Sequence, residues 1–360
     1  MVSTLTSSLS HRMPAEWESQ EAVLFSWPNN HDHWNEYSLS ELHHTFAQIV
    51  ATLSRTQNVQ INIAAPLCEA AAELIKDSDG NLNHVQFLHL GNDDVWCRDH
   101  GPILTKARGG ELQVTDWQFN GWGDKFHPYD TDNQVASKYA EHFQLPVFSS
   151  NHVLEGGAIE VNGRGLLLTT EAVLKNPNRY TAKQSGTLLQ EIADQLGVHT
   201  ILWLNEGLEG DDTDGHIDDL ARFTPENNIL TVTTENTNLV NYKTCQENWQ
   251  RLQQFTKEVP DLANREIIPL PLPEVRAPRG WRLPILPASY ANYLVTNETV
   301  LVPTFEQTTL DENALSILQE HYPTRDVIGI NALPLVTEGG AIHCISQQIP
   351  KTSGLSFGSS

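Results

Sequence analysis

Two spacings of apolar residues alternate along this chain. Residues 21–27 (EAVLFSW) form a short, nearly continuous apolar run, the pattern of a buried strand. Residues 38–53 then place Leu39, Leu42, Phe46, Ile49, Val50 and Leu53 at helical spacing, with Ser38 or Ser40 as the cap. The same alternation continues to the end. Residues 159–168 read strand, Asn162-Gly163 turn, strand, a strong hairpin signal. Residues 101–119 repeat it around Gly109-Gly110, 216–234 around a Pro-Glu-Asn-Asn turn, and 290–305 around Asn297-Glu298. Residues 340–350 read as a final strand, and 67–75, 132–143, 182–196, 241–258 and 311–321 as helices. The chain is thus about five strand–hairpin–helix units.

An internal repeat supports this division. Glu155-Gly156-Gly157-Ala158-Ile159 recurs letter for letter as Glu338-Gly339-Gly340-Ala341-Ile342, an offset of 338 − 155 = 183, or three steps of 61. One step beyond Gly157 lies Asp218, within Gly215-His216-Ile217-Asp218-Asp219. Repeats of this kind can close into a ring whose equivalent strand ends meet around one cavity. No linker splits the chain, so a single domain is expected over 13–350, between a flexible N-terminus (1–12) and a flexible tail (351–360).

Charge and cysteine usage narrow the function. With 22 Lys+Arg against 45 Asp+Glu, the formal net charge is −23, which argues against a nucleic-acid partner. Acidity on this scale favours solubility and attracts cations. Cys68, Cys97, Cys245 and Cys344 form no CxxC pair, so neither a zinc site nor a disulfide framework is expected, and free thiols fit the cytoplasm. There is no signal-peptide core and no apolar run long enough to span a membrane.

Four acidic or nucleophilic clusters occupy equivalent places in the units: residues 92–102 (NDDVWCRDHGP), Glu155-Gly156-Gly157, residues 210–218 (GDDTDGHID) and residues 339–344 (GGAIHC). Carboxylates converging on one pocket are costly unless a cation binds there. A guanidinium, planar and donor-rich, suits them, and a Cys beside a His can attack its carbon. A lone Cys in AIHCIS is ordinarily core filler, and DDTDGHIDD fails the calcium-loop pattern, with Gly210 and Ala221 at its first and last positions. Cys68 and Cys245 read as helical bystanders, and His343 as a structural residue on the strand face opposite Cys344.

With these motifs in view, the chain resembles the agmatine deiminases of the guanidine-modifying superfamily. The likeness runs from Met13-Pro14-Ala15-Glu16-Trp17-Glu18 to residues 343–350 (HCISQQIP), and includes residues 155–170 (EGGAIEVNGRGLLLTT) and 210–223 (GDDTDGHIDDLARF). It implies an α/β fold, a pentein-like five-bladed α/β propeller of pseudo-fivefold repeats. It implies Cys344 as nucleophile, His216 as acid and base, Asp99 and Asp218 as guanidinium ligands, Trp96 as a flanking aromatic and Glu155 as the acid beside the His. Agmatine carries an ammonium where arginine carries a carboxylate, and Asp212 and Asp214 are the acids to meet it. Neither metal nor cofactor is implied, and a homodimer is allowed. Cys97, Glu338 and Tyr180 depart from the pattern without removing a chemical group. A deiminase of free or peptidyl arginine, and a non-enzymatic guanidinium-binding propeller, are the alternatives.

Overall fold

The apolar runs become strands in a computed structural model that describes residues 1–7, 10–29, 36–180, 182–279 and 284–352. The chain opens with β1 (Val2–Thr4) and β2 (His11–Arg12), then runs through β3 (Gln20–Ser26), α1 (Glu36–Ser54), β4 (Val59–Asn62), α2 (Cys68–Asp77) and β5 (Val85–Leu88). A second unit supplies β6 (Ile103–Ala107), β7 (Leu112–Gln118), α3 (Val135–Phe143) and β8 (Val147–Val153). A third supplies β9 (Glu160–Val161), β10 (Leu166–Thr170), α4 (Ala182–Leu196) and β11 (Thr200–Leu204). A fourth supplies β12 (Ala221–Phe223), β13 (Ile229–Thr233), α5 (Tyr242–Glu258) and β14 (Ile267–Pro271). After the small hairpin of β15 (Val275–Arg276) and β16 (Ile285–Leu286), a fifth unit supplies β17 (Leu294–Val295), β18 (Thr299–Thr304), α6 (Thr308–His321) and β19 (Asp326–Asn331). The last strand is β20 (Ser346–Pro350).

The pairing repeats from unit to unit. In each, two strands form an antiparallel pair, and a helix then returns the chain to a third strand parallel to the second: β6·β7·β8, β9·β10·β11, β12·β13·β14 and β17·β18·β19. In the first unit β3, β4 and β5 are parallel, and β20 takes the antiparallel place beside β3. The helical spacing of 38–53 explains α1: Leu42, Phe46, Ile49, Val50 and Leu53 are all buried against strand residues such as Val23, Phe25 and Ile61.

Three expectations change. The parallel third strands (β4, β8, β11, β14, β19) escaped the strand–hairpin–helix reading, because a short apolar run following a helix has no turn signal of its own. The N-terminus is not a free tail: β1 pairs with β11 and β2 with β6. Residues 340–345 are not strand; the chain turns there, with Gly339 at φ 123°, and only 346–350 extend. Of the tail, 353–360 lie outside the described residues.

Candidate active site

The turns that lead into the first strand of each sheet carry the chemistry. Asp99 lies in the helical turn Cys97–His100 ahead of β6, and the short turns Gly156–Ala158 and Ile217–Asp219 lead into β9 and β12. Those two turns are 217 − 156 = 61 residues apart, the step inferred from the repeat. Asn292 and Cys344 each stand two residues before a strand, β17 and β20. The second glycine of each Gly-Gly pair explains the repeated motif. A Cβ on Gly157 would lie 2.5 Å from His216 Nδ1 and 2.9 Å from Asp99 Oδ1, and one on Gly340 would strike the Trp96 ring and Cys344 Cβ. Both positions must therefore lack a side chain for the site to assemble.

Cys344 is buried, 5% exposed. Its Sγ accepts a hydrogen bond from Asn292 Nδ2 at 3.0 Å and approaches Asp218 Oδ2 at 3.8 Å. Burial pushes its thiol well above the usual range, and Asp218, Asp219 and Asp99 push further. Asn292 locks this corner: its Oδ1 accepts from the amides of His343 (2.9 Å) and Cys344 (3.3 Å), and its Nδ2 also donates to Asp219 Oδ1 (3.0 Å).

His216 is wholly buried, with Nδ1 3.6 Å from Asp99 Oδ1. Burial opposes its charge, yet Asp99, Glu155, Asp218 and Asp211 together raise its pKa. Asp99 accepts from Trp122 Nε1 (2.9 Å) and the Gly157 amide (3.0 Å). Burial, offset by His216 and reinforced by Asp218 and Glu155, pushes Asp99 up to about 6. Trp122 sits in the left-handed region (φ 55°, ψ 46°), a conformation that costs a bulky residue on the order of 1–3 kcal/mol and accumulates at functional sites. Asp211 fixes the approach to His216 by accepting its backbone amide at 3.1 Å.

Among the described residues, both ring nitrogens of His216, Glu155 Oε2 and Asp218 Oδ1 are buried without a hydrogen-bond partner. Buried polar groups are rarely left so. Of these, Asp218 also reaches the Cys344 thiol, its Oδ2 lying 3.8 Å from Sγ, while Glu155 and Asp218 both act on the His216 ring. Asp218, Asp219 and Cys344 are also the one group of described residues whose ligand atoms approach as metal ligands would, within 4.8 Å.

The other expected residues are placed as follows. Trp96 is buried and packs over Gly340 beside Cys344. Glu155 Oε1 accepts from Arg179 Nε at 2.6 Å, so this acid is paired to an arginine as well as facing His216. Asp214 is engaged by Arg179 (2.6 Å), Asn178 (3.0 Å) and Lys125 (2.6 Å), and Lys125 also takes the carbonyl of Asp212 at 2.7 Å. His343 does not face away. Its Nδ1 lies 2.6 Å from Asp218 Oδ2 and its Nε2 2.8 Å from Glu16 Oε2, because a turn rather than a strand carries it.

Comparison with known proteins identifies the family. The family model described as Porphyromonas-type peptidyl-arginine deiminase matches residues 12–350. The chain belongs to that deiminase family. It is similar to a protein of Lactococcus lactis provisionally named an agmatine deiminase, 31% identical over 94% of this chain and 95% of that one. It is similar in structure to the agmatine deiminase of Enterococcus faecalis (TM-score 0.86, 29% identity, 95% of this chain and 96% of that one). A cysteine-to-serine variant of C. jejuni agmatine deiminase, solved with substrate bound, matches with TM-score 0.82 and 30% identity, over 95% and 97% of the two chains.

The sequence reading assigns no role to four residues of this family member's site: Asn292, Trp122, Arg179 and Glu16. Asn292 occupies in the fifth unit the place Cys344 holds before β20, so aligning the units by strand starts would have found it. Trp122 and Arg179 come from connections within units, where no repeat marks them.

Proposed function

We propose that this deiminase hydrolyses agmatine to N-carbamoylputrescine and ammonia through a covalent amidino-cysteine intermediate, as a step towards putrescine. The observation that carries the reading is the set of unmet buried groups in the site: Asp218 Oδ1, Glu155 Oε2 and the His216 ring, with Asp218 3.8 Å from the Cys344 thiol. Acids left unpaired in a buried site await a cation, and a guanidinium supplies both the charge and the N–H donors. Similarity to agmatine deiminases over nearly the whole chain supports agmatine as that cation.

In this reading Asp99 and Asp218 grip the guanidinium and Trp96 flanks it. Burial and the surrounding acids hold Cys344 as a thiol; the arriving cation offsets that field, and the thiol passes its proton to His216 and becomes the thiolate. The thiolate adds to the guanidinium carbon, and His216 gives a proton to the departing ammonia, leaving an amidino-thioether. His216 then takes a proton from water, which attacks the same carbon. The C–S bond breaks and the ureido product leaves. Glu155, held by Arg179, supports the His216 charge. Asp212 and Asp214 are the proposed partners of the distal ammonium; the Asp214 carboxylate already accepts from one ammonium, that of Lys125, at 2.6 Å. The chemistry asks for no metal or cofactor.

The five sheets of matching strand order, with β20 from the chain's end beside β3 from its beginning, support a five-bladed α/β propeller. Among the described residues no helix is long and apolar enough to cross a membrane, and the four cysteines are free. Free thiols support a cytoplasmic location. Incubation with agmatine, arginine and a blocked arginyl peptide, followed by assay for ureido product, tests the reading. Product from agmatine is expected; product from the peptide alone would transfer the function to protein arginine.

A further inference from the structure

We propose that His343, braced by Glu16, is a positioning residue of the deiminase site: it holds one oxygen of Asp218 so that the other is presented to the guanidinium. The proposal rests on the deiminase reading above. Asp218 Oδ2 is taken by His343 Nδ1 at 2.6 Å, while Asp218 Oδ1 is buried and has no partner among the described residues. A carboxylate has two equivalent oxygens and turns freely about its last bond unless one is clamped. The imidazole is the clamp.

The clamp is itself braced. His343 Nε2 lies 2.8 Å from Glu16 Oε2. The same oxygen accepts from Arg222 Nη2 at 2.6 Å, and Glu16 Oε1 accepts the Val295 amide at 2.6 Å. Arg222 continues to Glu160 Oε2 (2.9 Å) and the carbonyl of Tyr293 (2.8 Å). Arg98 Nε donates to the His343 carbonyl at 3.3 Å, and Asn292 Oδ1 accepts the His343 amide. The polar groups that face the ring and its backbone include Asp218, Glu16, Arg98, Arg222, Asn292 and the Ser346 hydroxyl, with Glu160 behind Arg222, all buried. A row of buried groups, Arg222–Glu16–His343–Asp218, runs from β12 through the loop before β3 to the nucleophile's own turn.

The two guanidinium acids differ as this arrangement requires. Asp99, held by the neutral donors Trp122 Nε1 and the Gly157 amide and with no imidazole at hydrogen-bond distance, is pushed up to about 6 by burial. Asp218 is equally buried, yet burial is overcome by the hydrogen bond and charge of His343, with His216 and Arg222 adding to them, and its carboxyl is lowered.

His343→Gln tests the assignment, with circular dichroism and thermal melting to establish that the variant folds. We expect KM for agmatine at pH 7 to rise on the order of tenfold, the loss of one hydrogen bond to a charged group, with a smaller change in kcat. The acid limb of kcat/KM should steepen from one proton towards two, because burial then raises Asp218 without the opposing His343 and it joins Asp99 in titrating. Glu16→Gln, which keeps the shape but removes the brace's charge, should move both readouts the same way by less, and it decides the matter if His343→Gln does not fold. A folded variant with wild-type KM and a one-proton limb overturns the positioning role. Wild-type protein that yields no ureido product sinks the deiminase reading instead, so the two failures are distinguishable.

Discussion

Asn292→Ala removes four hydrogen bonds at once, and the structure says what each loss does. The His343 amide keeps a second acceptor, the carbonyl of Asn292 at 3.2 Å. The Cys344 amide and Asp219 Oδ1 are left without the bonds Asn292 makes to them. Each buried group so orphaned costs about 1–3 kcal/mol, so a loss near 3 kcal/mol in folding stability is expected. The effect on chemistry is separate. Asn292 Nδ2 is a donor 3.0 Å from Sγ, and a hydrogen bond to a charged acceptor contributes about 1.5–3 kcal/mol to the thiolate. Its removal should cut thiolate population roughly ten- to a hundredfold. Alkylation of Cys344 by iodoacetamide at fixed pH, followed by peptide mass spectrometry, reads this directly, and kcat/KM for agmatine should fall in parallel. Asn292→Asp, which keeps the volume but replaces the donor by an acceptor, should fall at least as far. The other buried thiols give little background, since burial pushes Cys97 up to about 12 and Cys245 to about 11. Folded Asn292→Ala with alkylation and turnover within twofold of wild type would refute the argument.

Three further outcomes follow from the site. Cys344→Ser should abolish turnover with the fold intact, and quenched wild-type reactions should carry an adduct on Cys344; an adduct on Cys97 or Cys245 would move the nucleophile. His216→Ala should lose roughly 10²–10⁴-fold in kcat, the contribution of one acid–base group, and near-normal turnover would mean that another residue moves the proton. Asp99, pushed up to about 6 by burial, must be ionised to take its proposed place on the guanidinium. Protonation as pH falls through about 6 should therefore depress kcat/KM, while kcat, which reports the complex in which the bound cation favours the carboxylate, should hold to lower pH. Coincident acid limbs for the two would exclude Asp99 as a substrate ligand.

Much of this was legible in the letters, for definable reasons. Hairpin turns and helical spacing are local signals, and α4 spans the expected 182–196. The repeated Glu-Gly-Gly-Ala-Ile marks two places where backbone must come close to a catalytic side chain, a constraint only glycine meets. What stayed hidden is non-local. Nothing adjacent to Asn292 hints that it holds a thiol 52 residues away. Alternation along a strand placed His343 opposite Cys344, and the reasoning failed because that segment is a turn whose shape Asn292 imposes. The contact from Arg179 to Asp214 joins two connections 35 residues apart, and no local pattern marks it.

The pairing of β20 with β3 also governs how the molecule is made. Ser346 sits opposite Phe25, 346 − 25 = 321 residues earlier. During synthesis β3 must wait for its antiparallel neighbour until nearly the whole chain has been translated, and contacts of such separation are slow to form. Cys344 leaves the ribosome two residues ahead of that strand. A chain interrupted before residue 344 therefore lacks the Cys344 thiol together with the strand that completes its first sheet, and the proposed nucleophile is delivered only when that sheet can close.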